Sequence, residues 1–112
     1  MPKDDYFYIV YQILSRLYAC LKAGRRINPE DLSAKTTAYA IHESYWIYIM
    51  KNLIREGYID GVSAYESDDT TQIAFLESAQ ITPKGIQYLQ ENSGIQKVIK
   101  ALKTVKEITP GT

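Results

Sequence analysis

Five side chains of "SYWIYIMKNLIR", Ser44, Tyr48, Lys51, Asn52 and Arg55, recur at intervals that place them on one face of a helix. Hydroxyl, amide, ammonium and guanidinium groups in such a row can pair with base edges in a DNA groove. The cations can also meet phosphate. Arg25 and Arg26 in "GRR" are two further candidates for contact with the phosphate backbone. The solvated face of any amphipathic helix is built from the same residue types. The spacing therefore admits both a DNA-reading set and an ordinary polar surface.

Catalytic chemistry is harder to assemble. His42 is the single histidine and stands where a helix should start, which suits an N-cap or first-turn role. Cys20 is the single cysteine. It falls among apolar residues, so a buried, inert thiol is expected and an internal disulfide is excluded. Asp68 and Asp69 lie in a turn, where no apolar pocket would raise a carboxyl pKa. There is no phosphate-cradling glycine loop and no metal-ligand spacing. The expectation is a protein that is not an enzyme and needs no cofactor or metal.

The elements that must hold the five residues follow from periodicity. Phe7, Val10, Tyr11, Leu14, Leu17, Tyr18 and Leu21 predict a first helix from about Asp5 to Ala23, closed by Gly24. Tyr6, Ile9, Ile13 and Cys20 widen its apolar arc, so it must be covered on two sides. Asn28 and Pro29 predict a short second helix reaching about Thr37. A third helix, capped by His42 or Ser44, runs to Gly57 with Trp46, Ile49, Met50 and Leu53 turned inward. "YIDGVSAY" and "TQIAFLES" read as strands of a hairpin whose turn is "ESDDT". Thr82 and Pro83 then open another helix, interrupted at "NSG". Ile95, Val98, Ile99, Leu102 and Val105 predict a last helix over 94–107.

Helix, short helix, helix, hairpin, helix is the order of an α+β winged helix-turn-helix, here a single domain over residues 1–112. "INPEDLSAK", "LIREGYIDGV" and "ITPKGIQYL", in this order, also resemble the YjcQ-like family, small proteins of bacteria and their phages. The resemblance covers roughly Tyr6 to Leu102. It implies a winged-helix-like α+β fold and carries no functional residue over. One departure is "LSAKTTAYAIHESY", which is longer than a tight helix-turn-helix turn.

Charge bears on partners. The formal net charge is zero, yet Asp60 to Glu77 hold five acids and no base, and five lysines against two glutamates follow from Lys84 onward. Affinity for DNA is largely neutralisation of phosphate, so an acidic wing and a pI near 6.6 oppose it. The same wing suits a basic protein partner, or is a soluble turn that keeps strand edges apart. The first helix and the helix at 94–107 offer matching apolar stripes, which can pair within the chain or across a homodimer axis. Six of the ten tyrosines, Tyr6, Tyr8, Tyr11, Tyr18, Tyr45 and Tyr48, could line a ligand pocket, though rings at the edge of the core are the plainer expectation. No apolar run reaches the roughly 18 residues of a membrane span. "MPKDDYFYIV" is no secretory signal, so a cytoplasmic protein is expected.

Overall fold

The computed structural model describes residues 2–94. Beyond Gly94, the expected last helix over 94–107, and its pairing with the first helix or a second copy, lies outside the described residues.

Helix α1 spans Tyr6–Ala23. Asp5 caps it by accepting the Phe7 N–H at 3.1 Å. Gly24, at φ 69°, ends it in the left-handed conformation, and the N–H groups of Gly24 and Arg25 bond the carbonyls of Leu21 and Cys20. Ile9, Ile13 and Leu14 are fully buried, because α1 runs through the middle of the molecule with other elements on both sides. Phe7 and Leu21 depart from the expected arc: they stay 55 % and 45 % exposed at the two ends of the helix.

The expected second helix shrinks to one 3-10 turn, Pro29–Leu32, capped by Asn28. Local hydrogen bonds explain its failure to continue. The Ser33 hydroxyl bonds the carbonyls of Glu30 and Lys35, and Thr36 Oγ1 accepts the N–H groups of Ala38 and Tyr39. Side chains that satisfy the backbone in this way compete with helix hydrogen bonds. The chain instead folds back through a bridge between Lys35 and Ala40, which sends Ala34, Tyr39 and Ile41 into the core.

Helix α2 spans Glu43–Arg55, with His42 as its N-cap: the His42 Nδ1 accepts the Ser44 N–H at 3.1 Å. Trp46, Ile49, Met50 and Leu53 all face inward and are at most 5 % exposed. Beyond the cap, Gly57 adopts φ 77°. Its N–H bonds the Ile54 carbonyl, and that of Tyr58 bonds Leu53, which closes the last turn and reverses the chain.

Two small antiparallel pairs follow. β1 (Ile59–Asp60) pairs with β4 (Gln80–Ile81), and β2 (Ser63–Ser67) pairs with β3 (Thr70–Ala74). The hairpin turn is tighter than "ESDDT". Ser67 pairs with Thr70, leaving Asp68 and Asp69 alone in the turn at φ 51° and 62°. Two consecutive left-handed residues make the two-residue turn that matches strand twist, and Asp tolerates that conformation. The second expected strand also ends early. Phe75 turns left-handed at φ 65°, and Leu76–Ser78 form a 3-10 turn.

Helix α3 spans Pro83–Glu91, with Thr82 accepting the Gly85 N–H at 3.1 Å. Gly85 is required by proximity, since a Cβ there would collide with the Tyr58 carbonyl and the Ile81 side chain. α3 and β4 cover one side of α1 while α2 covers another, which accounts for the wide arc. Among the described residues the result is an α+β arrangement of three helices and two small antiparallel sheets, compatible with a winged helix whose second helix is one turn. Among the described residues no helix is long and apolar enough to cross a membrane.

Candidate nucleic-acid interface

The inward packing of Trp46, Ile49, Met50 and Leu53 dictates what α2 shows to solvent. Ser44, Tyr48, Lys51, Asn52 and Arg55 line one groove of about 290 Å³, together with Ile47 and, from β3, Thr71. Tyr48 is 59 % exposed, whereas Lys51 and Asn52 are half-buried. Some donor capacity is already used: Asn52 Nδ2 donates to the Tyr48 carbonyl at 2.8 Å, and the Ser44 hydroxyl lies 2.8 Å from His42 Nδ1. The ion pair among the described residues joins Arg16 and Asp31 at 4.0 Å, so Lys51 and Arg55 keep their charges free of it.

The wing reaches this groove through Thr71. Glu66 is the cross-strand partner of Thr71, so both project from the same face of the hairpin. The Thr71 hydroxyl donates to Glu66 Oε1 at 2.7 Å and holds the carboxylate in place. The exposed Asp68 and Asp69 stand at the hairpin tip. A cationic, hydrogen-bonding helix face thus lies beside an acidic ribbon. Thr71 and Glu66 were hidden in the sequence because their placement depends on register. Reading Asp68-Asp69 as a complete two-residue turn would have set Glu66 opposite Thr71.

Arg25 and Arg26 are not part of this groove. They follow the end of α1 and line a separate cleft of about 500 Å³ with Leu17, Cys20, Leu21 and the segment from Glu77 to Gln80. The two openings share no lining residue.

Tyr48 of the groove is also in contact with a ring of α1. The Tyr6 ring sits edge-on to Tyr48 at 6.3 Å and to Phe7 at 5.3 Å. Burial pushes the Tyr6 hydroxyl above its usual titration range, with Tyr48, Tyr58, Glu56 and Tyr45 adding to the effect in that order. The remaining tyrosines except the exposed Tyr65 fit the core and its edge. Tyr8 and Tyr11 are buried, and the Tyr45 hydroxyl donates to the Asp4 carbonyl at 2.9 Å. Burial raises the Tyr39 and Tyr88 hydroxyls to about 12, and neither has a hydrogen-bond partner among the described residues.

A family model described as YjcQ protein matches residues 11–108, most of the chain. No curated protein and no solved structure matches.

Proposed function

Because the chain belongs to the YjcQ family, we propose that it is a small winged-helix protein of phage or bacterial type that binds DNA through the outer face of α2 in a transcription-associated role. One observation carries this reading: five groups able to bond bases or phosphates converge on a single groove, and two of them are cations. The protein acts in the cytoplasm by binding and not by catalysis. Arg25 and Arg26 lie apart from that groove and meet DNA only if it extends past the end of α1.

A retardation or anisotropy titration over a range of salt tests the proposal. Phosphate-driven binding weakens steeply as salt rises. Equal signals at low and high salt, or none with any DNA, would remove DNA as the ligand.

A second reading rests on the hairpin. Glu66, Asp68 and Asp69 are exposed on a ribbon that carries no base, a surface complementary to a basic protein partner. In that case the domain is an interaction module with no nucleic-acid contact. A second copy of the chain, meeting the exposed Phe7 and Leu21 of α1, belongs to the same alternative.

A further inference from the structure

The α2 face carries features that a duplex reader does not use. Tyr48 and Phe7 are among the most exposed large apolar side chains of the described residues, and Tyr6 links their rings through two edge-on contacts. Within a duplex the faces of the bases are covered by their neighbours, so such rings have nothing to stack on. An unpaired base offers its whole π-face. Lys51 and Arg55 follow Tyr48 by three and seven residues, one and two turns further along the same side of α2. Stacking rings beside cations that track a backbone are the two parts of a single-strand groove.

The wing points the same way. Glu66 shares a hairpin face with Thr71, which lines the groove, and Asp68 and Asp69 stand at the tip of the same ribbon. A duplex carries one phosphate per about 1.7 Å of its axis because it has two strands, each with one per about 3.4 Å. A duplex seated on α2 would bring a second row of phosphates against these carboxylates. A single strand has no second row of phosphates to place there.

We propose that the α2 groove takes single-stranded DNA in preference to duplex, with bases stacked on Tyr48 and Phe7 and phosphates paired with Lys51 and Arg55. This rests on the DNA-binding reading of the same face. Each stacked base contributes on the order of tenfold in affinity. The test is fluorescence anisotropy of the full chain with a labelled 12-nucleotide strand of mixed sequence and, separately, with its duplex. The single strand should bind about tenfold more tightly than the duplex. Two phosphate contacts should give a log–log salt slope of about −1.4 on the single strand. Tyr48→Ala should weaken single-strand binding about fivefold or more, while Tyr48→Phe restores it. Equal or tighter binding of the duplex overturns the single-strand inference and leaves DNA binding by α2 standing. Single-strand binding that Tyr48→Ala leaves unchanged overturns the stacking. Absence of binding to both overturns the inference together with the reading on which it rests.

Discussion

The indole N–H of Trp46 donates to the backbone carbonyl of Leu32 at 2.5 Å, joining α2 to the 3-10 turn that precedes it. This bond fixes the roll of α2 about its own axis. With Trp46 locked inward, the groove residues on the opposite side have nowhere to go but outward. Trp46→Ala should lose about 3–5 kcal/mol in denaturant unfolding, through a large cavity and an orphaned carbonyl. Trp46→Phe keeps most of the ring volume and should lose less. A loss below about 1 kcal/mol for the alanine variant would contradict the inward placement.

Gly85 sets how closely α3 approaches the strands. An added Cβ meets the Tyr58 carbonyl and Ile81, neither of which is the far end of a long flexible chain. Gly85→Ala should therefore destabilise by about 1–3 kcal/mol through overpacking. By comparison, Gly57 has open space around its Cβ position, and the strain of its φ of 77° is the whole cost of Gly57→Ala, about 1–2 kcal/mol. Thermal or chemical unfolding of the two variants separates close contact from backbone strain.

Tyr39 gives a prediction in pH. Burial raises its hydroxyl from the ordinary 10.0 to about 12, with the Arg16 charge opposing and Asp31 adding. Above pH 10 the unfolded chain releases this proton while the folded chain retains it, so stability falls as pH rises from 10 toward 12. Tyr39→Phe should make that decline shallower. At neutral pH the same variant should be unchanged or stabilised by about 1 kcal/mol, since the lost hydroxyl has no partner among the described residues. A clear loss of stability at neutral pH would show that the hydroxyl is bonded.

The helices were legible where the caps and the stripe agreed. Asp5 and Gly24 for α1, and His42 and Gly57 for α2, each combine a boundary signal with apolar periodicity, while α3 was marked by Thr82 with Pro83. The second helix was misread because Asn28-Pro29 is a true start with nothing to sustain it. Ser33 and Thr36 divert their hydroxyls to the backbone. In the candidate site, the α2 residues were visible from spacing alone. The wing's part, Thr71 and Glu66, depended on a register that composition does not reveal. The separation of Arg25 and Arg26 from the groove is likewise a tertiary fact, set by where α1 ends.

The hairpin turn offers a change of opposite sign. Asp68 and Asp69 both hold positive φ, a conformation that Asn and Gly adopt more readily. Asp68→Asn with Asp69→Gly should stabilise the domain by about 0.5–1 kcal/mol. It also removes two acids from the wing tip, so duplex affinity should rise relative to single strand. Unfolding midpoints and parallel anisotropy titrations check the two effects. Loss of stability would mean the turn is not built as described.

The most direct measurement is DNA binding by a Lys51→Glu, Arg55→Glu double variant, compared with the parent at low salt after circular dichroism has verified an unchanged fold. Both side chains border the α2 groove and take no part in the core. The account predicts that DNA retardation is abolished while the unfolding midpoint stays within error of the parent. A variant that binds DNA as tightly as the parent would show that α2 is not the reading surface.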